Sequence, residues 1–237
     1  MNNISYYIGL SILSNVHTRG KGAERRKLLS AEARRVLSLL EGRPIEKDEI
    51  AEEAQGRPFF PDREVDFNIS HSGALTTVSY VRGGNLRTGC DVELVRPRTR
   101  IREIANKYFS APERDYIFTG DISGEAGFYR IWTLKESFIK LKGLSVLDMA
   151  SCPSFITGEG SNGGQFAFGA QVCVPLSFSL YEISNGSGDL YMLAAAIEGT
   201  QQVQPQILVF SQPSLACKKT AEIKAAPNPA ETVRPKM

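Results

Sequence analysis

Apolar positions along this chain alternate between two periods, and the changes of period mark out its elements. Residues 6–13 are aromatic and β-branched enough for a strand, and the polar stretch 14–21 reads as a loop. Over 23–40, Leu28, Leu29, Val36, Leu37 and Leu40 recur at helical spacing, with Arg25, Arg26, Lys27, Arg34 and Arg35 along the remaining surface. A short acidic helix is predicted at 46–53, ended by Gln55-Gly-Arg-Pro58. Strands at 65–69 and 74–81 flank a predicted tight turn, Ser70-His-Ser-Gly73, and the break Arg82-Gly-Gly-Asn85 marks a subdomain boundary. In the strand 86–94, alternation puts Cys90, Val92 and Leu94 on one face and Gly89, Asp91 and Glu93 on the other.

Residues 101–108 are helical, and Ser110 or Ala111 caps a further helix with Pro112 in its first turn. A Gly-containing loop at 120–127 feeds a helix at 131–143, where Ile131, Leu134, Phe138 and Leu141 form a stripe and Gly143 is the stop. Strand character returns at 154–157, 165–174, 176–184 and 191–197, separated by Gly- and Asn-rich turns. From about 201 the composition shifts to Gln, Pro, Lys and Ala with no periodicity beyond 207–210, which predicts a disordered or accessory tail.

With 237 residues of which 42% are hydrophobic, the chain can bury a core as one large domain or two small ones. A net charge of +2, with no basic run interleaved by aromatics, argues against nucleic acid as a partner. No apolar run approaches the roughly 20 residues of a membrane span, and the N-terminus lacks a basic segment and a cleavage site, so a cytoplasmic location with no membrane partner is expected. The four cysteines make no CxxC pair and stand beside only two histidines, so they read as reduced thiols rather than zinc ligands.

Candidate chemistry is concentrated in two stretches. On the 131–143 helix, Glu136 and Lys140 lie side by side off the apolar stripe, Trp132 borders them, and Lys135 falls on the other flank. Taken alone, Glu136 and Lys140 are an ordinary i,i+4 pair contributing about 0.3–0.5 kcal/mol. Asp91 and Glu93 change that reading. They share a strand face with no other counter-charge in view, where carboxylates repel unless a cation sits between them, and Gly89 beside them lets a bulky ligand approach the backbone. With Glu136 they supply three oxygen donors that suit Mg²⁺, whose other positions would go to phosphates and water, and the lysines would meet those phosphates.

These stretches carry a resemblance. Gly89-Cys-Asp-Val-Glu93, then Trp132-Thr-Leu-Lys-Glu-Ser-Phe-Ile-Lys140, with Phe67-Asn-Ile-Ser-His-Ser-Gly73 upstream, resembles the signature of the 4'-phosphopantetheinyl transferase superfamily in its larger, Sfp-type branch, over about residues 25–197. The resemblance implies an α/β fold of the α+β type: two similar subdomains related by a pseudo-twofold axis, working as a monomer. The expected division is 1–84, 85–198, and a tail at 199–237. It also implies transfer of phosphopantetheine from coenzyme A to a serine of an acyl- or peptidyl-carrier protein, releasing adenosine 3',5'-bisphosphate. Asp91, Glu93 and Glu136 would hold Mg²⁺, and Asp91, Glu136 and Lys140 would do the chemistry, with either Glu136 or a metal-bound water as the base.

Arg26, Arg57, Ser70, His71, Lys135 and Lys140 would contact coenzyme A. Arg57 stands in a Gly-Arg-Pro turn that should expose it, where its guanidinium can fork to a phosphate. Glu113 is left outside the site, since a first-turn Glu is explained by the helix dipole. The rival reading is a non-catalytic coenzyme A or carrier-binding module. A serine hydrolase is excluded by the lack of a Gly-x-Ser-x-Gly elbow. Which carrier proteins are served, those of fatty acid, polyketide or nonribosomal peptide synthesis, is not written in these motifs.

Overall fold

The computed structural model describes residues 4–13, 22–61, 64–83, 85–119, 124–155, 175–199, 203–210 and, for its backbone, 216–225. The expected loop at 14–21, the turn at 158–164 and the strand at 165–174 lie outside the described residues. The elements are β1 (Ser5–Ile12), α1 (Ala23–Glu41), β2 (Ala51–Glu52), β3 (Pro58–Phe59), β4 (Val65–Ser72), β5 (Leu75–Arg82), β6 (Arg87–Leu94), α2 (Ile101–Tyr108), α3 (Ala111–Thr119), α4 (Glu125–Lys142), β7 (Leu176–Ser184), β8 (Leu190–Glu198), β9 (Gln206–Val209) and β10 (Ala216–Ala225). Two 3-10 turns, Lys47–Glu49 and Val146–Ser151, complete the set. The fold is mixed α/β, as expected.

Two four-stranded sheets form the frame, ordered β4-β5-β1-β9 and β10-β7-β8-β6, beside the small β2-β3 ribbon. Their inner faces pack together through Ile8 and Leu10 of β1, Leu75 of β5, Cys90 and Val92 of β6, and Ile183, Tyr191 and Leu193 of β7 and β8. On the outer face of the first sheet lies α1, through Ala33, Val36 and Leu37 against Phe67, Val78 and Tyr80. On the outer face of the second lies α4, whose Ile131, Leu134, Phe138 and Leu141 are buried with Leu176, Phe178, Leu180 and Ala194.

Edge strands β4 and β6 join the sheets without a main-chain ladder. Side chains of β4 accept instead: Thr88 N–H donates to Asp66 Oδ2 (2.7 Å), Cys90 N–H to Asn68 Oδ1 (3.2 Å), Val92 N–H to Ser70 Oγ (3.2 Å) and Leu94 N–H to Ser72 Oγ (3.0 Å). A row of short polar side chains at period two thus satisfies every second amide of a sheet edge that would otherwise be buried and unpaired.

Several boundaries differ from expectation for local reasons. Helix α4 starts at Glu125, because no proline follows residue 124 and the cost of Gly127 in a helix, about 1 kcal/mol, is outweighed by burial of Phe128 and Tyr129. At 46–53 there is a single 3-10 turn running into β2. Strand β4 continues through His71 to Ser72, paired with Leu75, so only Gly73 and Ala74 make the turn.

The segment expected as a tail enters both sheets: β9 pairs in parallel with β1, and β10 pairs antiparallel with β7. Each strand finds an open edge, and Phe210 and Ile207 pack against the cores of the first sheet. That is a tertiary gain which local periodicity does not register.

Candidate active site

A cleft of about 540 Å³ runs along the β4–β6 seam on the outer side of the sheets. One wall is α4 with Glu136 and Lys140, the floor is His71 of β4 with Asp91 and Glu93 of β6, and the opposite wall is Arg34 of α1 with Lys47 of the first 3-10 turn and Pro58 of β3. The α4 wall sits close because residue 89 is glycine: a Cβ there would lie 2.3 Å from the Ser137 carbonyl oxygen and 2.5 Å from Leu141 N. Gly89 therefore admits the helix backbone, which corrects the expectation that it admits a ligand. At its end α4 is stopped by Gly143 in the left-handed conformation (φ 65°), with Lys140 in the last turn.

Lys140 stands at the centre of the cleft. Its Nζ donates to Asp91 Oδ1 (2.7 Å) and to Ser70 Oγ (2.9 Å), and Ser70 Oγ donates to the same Asp91 oxygen (2.8 Å). Asp91 therefore has a counter-charge, contrary to the expectation that its face offered none. Burial opposes the Lys140 charge, but Asp91 outweighs it and holds the ammonium protonated above its ordinary range. The second Asp91 oxygen, Oδ2, is buried with no hydrogen-bond partner. Glu93 accepts from Ser72 Oγ (2.8 Å). Its carboxyl is raised by burial and then by Asp91. The Glu136 carboxyl is pushed up to about 7, by burial first and then by Asp91 and Glu93 against the opposing pull of Lys140. Three carboxyl groups thus crowd one lysine, and the raised proton affinities of Glu93 and Glu136 reflect burial together with a shortage of positive charge.

As they lie, no three His, Cys, Asp or Glu side chains among the described residues converge on a point that would hold a metal ion. The donor set nonetheless fits a hard cation: an unpartnered buried carboxylate oxygen, flanked by two carboxyls that their neighbours disfavour in charged form.

The other expected contacts divide. His71 lines the cleft, and burial followed by Lys140 lowers its pKa, so the imidazole is neutral near pH 7. Ser70 is at the seam but committed, its hydroxyl donating once and accepting twice. Arg26 is exposed on the first turn of α1, whereas its neighbour Arg25 donates to the Gly73 carbonyl (2.6 Å) beside the cleft.

Two expectations are corrected outright. Arg57 is 5% exposed, and its guanidinium donates to Asp66 (2.6 Å) and to the carbonyls of Thr88 (2.9 Å) and Lys140 (3.1 Å). It is a strut between β4, β6 and the end of α4. Rigid forked donors suit that task as well as they suit a phosphate. Lys135 is 1% exposed and pairs with fully buried Glu113 (3.3 Å), whose oxygens also accept from Ser110 N–H (2.7 Å) and Phe155 N–H (3.0 Å). Lys135 faces the α2–α3 side of its helix, so it meets no phosphate in the cleft, and Glu113 does more than serve a helix dipole.

Arg34 and Lys47 on the far wall, and the Asp66, Asn68, Ser72 row, went unread. The row had a signal: polar residues at period two in a strand whose other face is apolar.

A family profile, described as 4'-phosphopantetheinyl transferase superfamily, matches residues 87–187 of this chain, from the seam strand β6 through β7. The 4'-phosphopantetheinyl transferase AcpT of Salmonella typhi is 33% identical over 130 residues, covering 53% of this chain and 67% of the relative. The chain belongs to this superfamily. AcpT of Escherichia coli (strain K12) is 35% identical over 108 residues, 45% of this chain and 54% of the relative, and Sfp of Bacillus subtilis is 34% identical over 103 residues, 42% and 44%. The protein is accordingly a transferase. Among the described residues no helix of the transferase is long and apolar enough to cross a membrane.

Proposed function

We propose that the transferase moves the 4'-phosphopantetheine arm of coenzyme A onto a serine hydroxyl of an acyl- or peptidyl-carrier protein, with Mg²⁺, and releases adenosine 3',5'-bisphosphate. The observation that carries this reading is the charge imbalance at the seam: Asp91 Oδ2 buried and unpartnered beside two carboxyls with raised proton affinity, in a cleft of about 540 Å³.

Asp91, Glu93 and Glu136 would hold the Mg²⁺. When bound it would screen the pyrophosphate and stabilise the leaving phosphate. Lys140, fixed on Asp91 and Ser70, presents its remaining charge to the same pyrophosphate. Arg34 and Lys47 offer cations at the opposite wall, where the nucleotide phosphates would lie, and neutral His71 contributes one ring N–H donor between them. Glu136, on the same wall as Lys140, would take the proton of the incoming serine once a bound cation has returned its carboxyl to the charged form.

The division into units at 1–84 and 85–198 belongs to the same proposal, with coenzyme A bridging the seam between them. So do the monomeric state and the cytoplasmic location. The test is incubation with coenzyme A, Mg²⁺ and several apo-carrier domains, each then weighed by mass spectrometry. The expected result is a gain of one phosphopantetheine on at least one carrier, abolished by chelation. Tight coenzyme A binding with no gain on any carrier would favour a binding module instead.

A further inference from the structure

One carboxylate of the cleft takes no part in the transfer proposed above. Glu52 lies on the β2–β3 ribbon, on the wall that carries Arg34 and Lys47. In the ribbon's antiparallel register Glu52 stands across from Pro58 and Ala51 from Phe59, so Glu52 and Pro58 share the face that lines the cleft. Glu53 points the other way and is committed, accepting from Arg87 (2.9 Å) and pairing with Arg57 at 3.7 Å. The Glu52 side chain is exposed, and among the described residues its carboxylate has no ion-pair or hydrogen-bond partner.

The backbone that presents it is fixed. Glu53 N–H donates to the Arg57 carbonyl (2.8 Å), Ile50 N–H donates to that of Lys47 (3.2 Å), and Phe60 just beyond the ribbon is buried with its ring centre 4.8 Å from that of Phe67. A carboxylate held in a cleft that takes phosphates repels them, unless the ligand brings a donor to it. Around Glu52 the lining is apolar, with half-buried Ile50 and Ile69 beside Ala33 of α1 and Pro58. Of the parts of coenzyme A, the base alone is flat and apolar enough to cover such a patch, and its edge carries an exocyclic amine. The ligand's amide N–H groups belong to the pantetheine arm, which leaves the pyrophosphate on the Lys140 side.

We propose that Glu52 reads the adenine base of coenzyme A: its carboxylate accepts from the exocyclic amine while the ring lies on Ile50, Pro58 and Ile69. The inference rests on the coenzyme A site proposed above and goes beyond it by assigning the residue that sets the choice of base. A purine that lacks the amine leaves a charged acceptor beside the phosphates with no compensating bond. Such a contact discriminates more strongly than apolar fit does, because the wrong ligand strands the acceptor.

The test is calorimetric titration of the full chain with adenosine 3',5'-bisphosphate and with the corresponding purine riboside 3',5'-bisphosphate, which differs by the missing amine. Wild type should bind the adenosine form about tenfold more tightly. E52A should bind the two within about twofold of each other, and E52Q, whose amide oxygen still accepts, should keep a preference of about threefold. Both variants should melt as wild type does, since no other side chain loses a partner.

A wild type without preference overturns the proposal, as does an E52A variant that keeps it. Tightening of both nucleotides by one factor in E52A and E52Q, with the preference intact, also overturns it and makes Glu52 a brake on phosphate. Failure of wild type to bind either nucleotide removes the proposal together with the coenzyme A site. A base preference that E52A abolishes, in a protein that modifies no carrier, upholds the contact and refutes the transfer reading.

Discussion

Replacing Glu136 by glutamine should stabilise the ligand-free protein while abolishing transfer. Glu136 has a carboxyl pushed from the ordinary 4.5 up to about 7 by burial, Asp91 and Glu93. A tenfold change in proton affinity corresponds to about 1.4 kcal/mol. The ionised carboxylate therefore costs about 3 kcal/mol, of which about 2 kcal/mol should survive solvent screening at this partly exposed position.

The sign follows from which state holds the proton. Between the unfolded value of 4.5 and the folded value of about 7, the folded chain keeps a proton that the unfolded chain releases, so this group lowers stability progressively as pH rises through that window. The penalty is complete above pH 7 and absent below pH 4.5. Urea denaturation of the ligand-free protein should show E136Q more stable than wild type by about 2 kcal/mol at pH 8, and level with it near pH 4.5. With Mg²⁺ and coenzyme A together, wild type should gain stability at pH 8 and the variant little. A variant less stable than wild type at pH 8 would show that Lys140 holds Glu136 favourably as an ion pair, and the reading of the cleft as short of a cation would fall.

Asp91→Ala should now destabilise the ligand-free fold by about 1–3 kcal/mol in thermal or urea melts, since it strands Lys140 and Ser70. That reverses what a carboxylate without counter-charge would do. Arg57→Ala and Lys135→Met should each lower stability, by about 3 kcal/mol for Lys135→Met and somewhat less for Arg57→Ala, because they leave fully buried Glu113 and half-buried Asp66 without a counter-charge. In the protein that remains folded, KM for coenzyme A should change less than twofold, and a selective rise in that KM would return either residue to the ligand site. Gly89→Ala should cost several kcal/mol and most of the transfer activity, as backbone atoms 2.3–2.5 Å away cannot move aside cheaply; a variant with a normal melting temperature would refute the close approach of α4. Truncation after residue 198 removes β9 and β10, exposes the edges of β1 and β7, and takes the Phe210 carbonyl from Arg35 (3.1 Å). A clear drop in melting temperature is expected, and an unchanged one would return the segment to the status of an accessory tail.

What was legible in the sequence was what periodicity and local chemistry can carry. The helical stripe of Ile131, Leu134, Phe138 and Leu141, the glycine stop at 143, and the alternation that separates Asp91 and Glu93 from Cys90 and Val92 all follow from side-chain periods that the backbone imposes. They were enough to bring Glu136, Lys140 and the two strand carboxylates to one place.

Which charged side chains face the cleft was decided by the tertiary structure alone. Lys135 and Lys140 sit on one helix, and only the packing of α2 and α3 on one flank and of β6 on the other makes the first a buried partner of Glu113 and the second the centre of the site. Arg57 reads as a phosphate contact until three segments distant in sequence close around it. Strands β9 and β10 are weak by pattern, and they form because β1 and β7 leave open edges whose amides would otherwise go unpaired. A residue's period fixes the side of its element to which it points, whereas burial and pairing depend on what the rest of the chain brings to that side.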